Sequence, residues 1–142
     1  HAWDVSPEAL EVARRNAIRN GVTVHFQQAD ALQESWPSLN IDVLVSNPPY
    51  ITEKERTDME RNVLDWEPEL ALFVPDNDPL LFYRHIARIG LDLLSPSGTL
   101  YYEINRAYGA ETVSLLQQLG YHSVELRKDL SGNDRMVKAV KP

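Results

Sequence analysis

A doubly wound, mostly parallel α/β sheet with an antiparallel end is the fold class this sequence predicts, on three observations. Strand-like and helix-like segments alternate in the order β-α-β-β-α-β-α-β-β. The run Ile41-Asp42-Val43-Leu44-Val45-Ser46 reads as a buried parallel strand, since such strands are covered on both faces and run apolar. Two strand-like segments, 122–128 and 135–140, close the chain as a neighbouring pair, which argues for an antiparallel end.

Each element has a local reason. His1-Ala2-Trp3-Asp4 reads as the end of a strand. Ser6-Pro7-Glu8 then starts a helix, with a serine cap, proline at the first helical position and an acid in the first turn. Leu10, Ala13 and Ala17 keep one face apolar, and Asn20-Gly21 stops the helix. Val22-Thr23-Val24-His25-Phe26 is the next predicted strand, ending near Asp30, and Ile41–Ser46 follows after a short loop. Residues 51–77 are polar, broken by Glu67-Pro68 and Pro75, and read as a long functional or mobile loop. Asp78-Pro79 is predicted to start a second helix with Leu80, Tyr83, Ala87, Leu91 and Leu94 on one face. Ser95-Pro96-Ser97-Gly98 turns the chain into a strand over 99–104. A helix over 109–119 ends at Gly120, before the closing strand pair.

The 142 residues suffice for one domain that buries about two-thirds of its unfolded surface. Charged residues make up 25% and hydrophobic residues 43%, the balance of an ordinary globular chain. No apolar stretch reaches the ~18 residues that span a bilayer, so no membrane partner is expected. No signal-like start is visible, and the absence of cysteine fits a reducing compartment, so a cytoplasmic location is expected. A formal charge of −7, with 14 basic residues scattered among 21 acidic ones, speaks against a nucleic-acid partner. His1, His25, His85 and His122 lack metal-ligand spacing, and no metal site is expected.

Three places carry chemistry. Asp4 closes the first strand, where an acid in a doubly wound fold accepts hydrogen bonds from ribose hydroxyls; a solvated turn aspartate is the alternative. Asp30 ends the next strand and can accept an adenine's exocyclic amine, with Ala31 and Leu32 against the ring; otherwise it caps a short turn. Asn47-Pro48-Pro49-Tyr50 follows the buried strand at its carboxyl end, the edge where open α/β sheets bind ligands. Its two prolines supply no N–H and fix φ near about −65°, and the residues before them are held out of the helical region. The result is a rigid loop of acceptors with one amide and one aromatic ring, suited to a flat group bearing N–H bonds.

Asn47-Pro48-Pro49-Tyr50 resembles the signature of S-adenosylmethionine-dependent amine and amide N-methyltransferases. The longer string Val45-Ser46-Asn47-Pro48-Pro49-Tyr50-Ile51, with Glu67-Pro68-Glu69-Leu70-Ala71-Leu72 after it, resembles the HemK/PrmC family, the glutamine methyltransferases of peptide chain release factors. Asp4, Asp30, Glu103 and Gly132-Asn133-Asp134-Arg135 also fall where that family has similar residues. The resemblance covers essentially all 142 residues. It implies a Rossmann-like class I methyltransferase fold, truncated at the N-terminus. On this reading residues 1–142 are a partial methyltransferase domain. Its first βα unit, with the glycine-rich cofactor loop, and the family's N-terminal helical domain are absent. The missing strand would lie between the strand ending at Asp4 and the one ending at Ser46, so exposed strand edges and a strand-exchanged homo-oligomer are expectations.

The resemblance also implies S-adenosyl-L-methionine as cofactor, contacted by Asp4, Asp30, Ala31 and Asn47. It implies a release factor as protein partner, with the glutamine of its GGQ motif as substrate. Asn47, Pro48 and Tyr50 are the implied catalytic residues. Pro49 and Glu67 join them in binding substrate, unless Glu67 merely sits in a solvated turn. The chemistry agrees with the residue types. An amide nitrogen is a poor nucleophile, and the Asn47 side-chain oxygen and Pro48 carbonyl can accept its two N–H bonds. Two other readings remain open here: methylation of adenine in DNA or RNA, whose amine is an equally flat N–H pair, and an inactive methyltransferase fragment.

Overall fold

In the computed structural model, which describes residues 1–33, 36–59 and 65–142, the chain forms two units, His1–Trp36 and Pro37–Pro142. In the first, strands β1 (Ala2–Asp4) and β2 (Phe26–Gln28) pair in parallel, joined through helix α1 (Pro7–Arg19). The Ser6 side chain caps α1 by accepting the Ala9 N–H at 3.1 Å. Pro7 stands in the first turn, where a missing N–H costs nothing. At the other end Gly21 takes a left-handed φ of 63°, and the Val22 N–H reaches back to the Ala17 carbonyl at 3.1 Å. That closure satisfies helix carbonyls and occupies residues 20–22. The strand expected over 22–26 therefore begins only at Phe26, where β1 offers partners in the register Ala2↔Phe26 to Asp4↔Gln28.

The second unit holds a four-stranded sheet in the order β3-β6-β8-β7. Strand β3 (Ile41–Ser46) lies parallel to β6 (Leu94–Glu103). Strands β7 (His122–Lys128) and β8 (Asp134–Val140) complete it in antiparallel fashion. The predicted antiparallel end is present. Strand β6 starts earlier than the expected residue 99, because Leu94 pairs with Ile41 before a register shift. Ser97, at φ 64°, carries the chain through the predicted turn inside that strand. The strand expected to be buried on both faces is instead an edge strand: in this sheet β3 pairs with β6 alone, and Val43 and Val45 are exposed.

Helix α2 (Leu81–Leu93) starts two residues after Pro79 rather than at Asp78. Residues 78–80 form a turn instead, in which the Leu81 N–H bonds the Asp78 carbonyl. Its buried stripe is Tyr83, Ile86, Ala87, Ile89, Gly90 and Leu93, rotated from the predicted one so that Leu80 and Leu91 are only half-buried. Helix α3 (Gly109–Gln118) contributes Leu116 to the same interior. Leu100, Tyr102, Val137 and Ala139 from the sheet complete the core.

The loop over 51–77 is not irregular throughout, although its residues 60–64 lie outside the described ones. Strands β4 (Ile51–Thr52) and β5 (Phe73–Val74) pair in parallel across it. Short 3-10 helices fill Glu53–Asp58 and Glu69–Ala71. Among the described residues no helix is long and apolar enough to cross a membrane.

Candidate active site

Strand register decides what surrounds Asn47–Tyr50. Because Ser46 pairs with Tyr102, the tetrapeptide leaves β3 beside the end of β6, where Glu103, Ile104 and Asn105 follow. Alternate residues of an extended chain project to the same side. Glu103 and Asn105 accordingly both meet Tyr50, while Ile104 between them is fully buried. The Tyr50 hydroxyl donates to Glu103 Oε1 at 2.8 Å, and the Tyr50 carbonyl accepts from Asn105 Nδ2 at 3.0 Å. Partial burial, and then the Glu103 carboxylate as acceptor, raise the Tyr50 pKa above its ordinary value, with Arg135 opposing. Tyr50 thus stays a neutral donor with its ring fixed.

Asn47 itself is exposed and Pro48 is buried. Among the described residues, neither the Asn47 side chain nor the Pro48 carbonyl is taken up by a protein hydrogen bond. The loop therefore has a held end at Tyr50 and a free acceptor end at Asn47.

Behind the held end sits a second polar group. Thr52 is fully buried and donates both its N–H (2.8 Å) and its hydroxyl (2.6 Å) to Glu55 Oε2. Asn105 Nδ2 donates to the same carboxylate at 3.0 Å. Partial burial on its own raises the Glu55 pKa, but the Thr52 and Asn105 hydrogen bonds, with Arg106 nearby, outweigh it and hold it below the usual value. The Asn105 backbone N–H donates to the Tyr83 hydroxyl at 3.1 Å, which connects the loop to the α2 core.

Glu67 is exposed, and the acid that ties its segment down is Glu69. Arg56 bonds Glu69 Oε1 at 2.6 Å and Glu53 Oε2 at 3.0 Å, and its guanidinium lies 3.9 Å from the Phe73 ring centroid.

In the first unit, Asp4 Oδ1 accepts the Ser6 N–H at 2.8 Å, and the carboxylate stays exposed. Asp30 Oδ1 accepts the Leu32 N–H at 2.8 Å. Both acids are thus turn caps as well as acceptors with capacity left over, since an ionised carboxylate has about four lone-pair sites. Ala29 is buried and Ala31 half-buried beside Asp30. Nearby in sequence, the Trp3 and Trp36 rings lie 4.9 Å apart, and Trp3 Nε1 is buried without a partner among the described residues.

The sequence reading missed Glu55, Thr52 and Asn105. Thr52-Glu53-Lys54-Glu55 has the spacing of a helix capping box, a signal that could have found the first two. Asn105 has no local signature, because its role depends on β3 and β6 lying side by side.

Residues 1–65 match the family described as Methyltransferase small domain. A release factor glutamine methyltransferase of Bacteroides thetaiotaomicron is 50% identical over 97% of this chain, and one of Flavobacterium psychrophilum is 47% identical over 96%. The chain spans 50% and 48% of those relatives' lengths. Among solved structures, a methyltransferase from Pyrococcus furiosus superposes with a TM-score of 0.69 at 19% identity, covering 99% of this chain and 61% of that one. TrmN from Thermus thermophilus gives 0.57 at 22% identity, covering 99% and 35%. The fold is therefore that of the class I methyltransferases. Over 96–97% of its own length, the chain is thus similar to proteins named release factor glutamine methyltransferases.

Proposed function

We propose that this chain is part of a cytoplasmic enzyme that methylates the side-chain amide nitrogen of the GGQ-motif glutamine in peptide chain release factors, with S-adenosyl-L-methionine as methyl donor. One observation carries the reading. Tyr50 is tied at hydroxyl and carbonyl, while Asn47 beside it stays exposed and ready to accept. The two relatives named above are, by name, release factor glutamine methyltransferases.

S-adenosylmethionine, when bound, supplies a methyl group made electrophilic by its sulfonium. The acceptor-rich acids of the first unit suit its polar groups: Asp4 for ribose hydroxyls and Asp30 for the adenine amine, with Ala31 packing on the ring. In the second unit the Asn47 side-chain oxygen accepts one amide N–H of the substrate and the Pro48 carbonyl accepts the other. Two fixed acceptors orient the nitrogen and favour the positive charge that develops on it. Pro49 keeps the loop stiff, and the Tyr50 ring packs on the amide plane. No base is required of the loop, because an N-alkylated amide cation passes its proton to water. Glu67 is the further residue assigned to substrate contact, in the segment that follows.

Asn47→Ala in the complete enzyme is expected to cut methyl transfer by about 10²-fold or more, while calorimetric titration still detects S-adenosylmethionine binding. Full activity in that variant would overturn the mechanism. Offering release factor and DNA side by side with labelled cofactor separates the protein substrate from a nucleobase. Label in the DNA alone would overturn the assignment.

A further inference from the structure

We propose that Asn105 is a positioning residue that sets the pitch of the Asn47–Tyr50 acceptor loop. The inference rests on the reading above and concerns how its loop is held. Asn105 is 5% exposed and every polar group of its side chain is used. Its Oδ1 accepts the Ala107 N–H at 2.9 Å. Its Nδ2 donates to the Tyr50 carbonyl at 3.0 Å and to the Glu55 carboxylate at 3.0 and 3.2 Å.

Loop chemistry explains why such a clamp is needed. Pro48 and Pro49 have no N–H, so the tetrapeptide cannot be anchored through donors at its middle. Its carbonyls are the handles, and the Pro48 carbonyl must remain free if it is to receive substrate. The Tyr50 carbonyl, two residues further along, is the one the buried Asn105 amide takes. The opposite restraint on Tyr50 comes from Glu103, two residues earlier on the same side of the chain. Asn105 thus couples three elements: the end of β6, the acceptor loop, and the 3-10 turn that carries Glu55.

Serine separates this role from simple turn capping. Asn105→Ser keeps an oxygen that can accept the Ala107 N–H but lacks the donor and the reach to Tyr50. In the full-length enzyme, Asn105→Ser and Asn105→Ala are both expected to lower kcat by at least about tenfold, since small misplacements of a reacting group cost up to about 10²-fold. The KM for S-adenosylmethionine should stay within about twofold, because the cofactor acids belong to the first unit. Hydrogen exchange at the Thr52 amide, which Glu55 accepts, should speed up in both variants by about tenfold. Wild-type kcat and unchanged Thr52 exchange in Asn105→Ser would overturn the proposal. A wild-type enzyme that does not methylate release factor instead counts against the function proposed above. In that event faster exchange at Thr52 still supports the clamp, and unchanged exchange still overturns it.

Discussion

Tyr50 is restrained through two atoms, and each restraint can be removed separately. Tyr50→Phe deletes only the hydrogen bond to Glu103 and strands a half-buried carboxylate, a loss of about 1–2 kcal/mol. Urea unfolding measures it, and a stability within a few tenths of a kcal/mol of wild type would mean the bond contributes little. Glu55 gives a prediction with a sign. Its folded pKa is depressed by Thr52 and Asn105 against the effect of burial. Its contribution is therefore complete above the unfolded glutamate value of about 4.3 and is lost as pH falls through the lower folded value. Glu55→Gln retains an acceptor without the titration. The stability gap between wild type and Glu55→Gln should narrow between about pH 7 and about pH 3. A gap that widens in acid contradicts the hydrogen-bond account.

At the scale of elements, α2 lies tight against Tyr121 at Gly90. The Tyr121 hydroxyl donates to the Ala87 carbonyl at 2.8 Å, and a Cβ at position 90 would collide with that hydroxyl. Tyr121 is itself buried and cannot swing away. Gly90→Ala is expected to destabilise by about 1–3 kcal/mol, despite alanine's better helix propensity; thermal unfolding reads the sign directly. The same helix shows what the sequence made legible. Local chemistry announced α1 through Ser6, Pro7 and Gly21, and the mostly apolar run over 41–46 announced β3 as a strand, though not its exposure. The buried stripe of α2 was misjudged because Gly90 counts as neither polar nor apolar in a periodic pattern, yet it sits in the middle of the stripe. Pairing of β4 with β5 was invisible, since two residues on each side leave no periodicity to read. Asn47–Tyr50 stood out through its prolines, whereas the clamp behind it rests on contacts 50 to 55 residues apart.

For the whole molecule, the proposed function draws on residues of both units. Asp4 and Asp30 belong to the first and the acceptor loop to the second. Substitutions should therefore separate two measurable quantities. Asp4→Ala is expected to weaken S-adenosylmethionine binding by about tenfold or more, the value of a charge-assisted hydrogen bond, when titrated calorimetrically in the full-length enzyme. Asn47→Ala should weaken that affinity less than Asp4→Ala does, while removing turnover. Equal effects of both on cofactor affinity would contradict the division. The charge of −7 adds an expectation about salt: encounter with a basic protein surface should slow as ionic strength rises.

Between Asn47 and Tyr50, two successive prolines leave a stretch of backbone that can only accept. A glutamine and a glutamate side chain are nearly the same size, and they differ in whether they bring hydrogens or lone pairs to such a stretch. Carbonyl oxygens that welcome an –NH2 group face a carboxylate with like partial charge and nothing to donate. On the proposed function, the rigid pair of rings would thus be a filter as well as a brace, telling an amide from its acid through repulsion rather than fit.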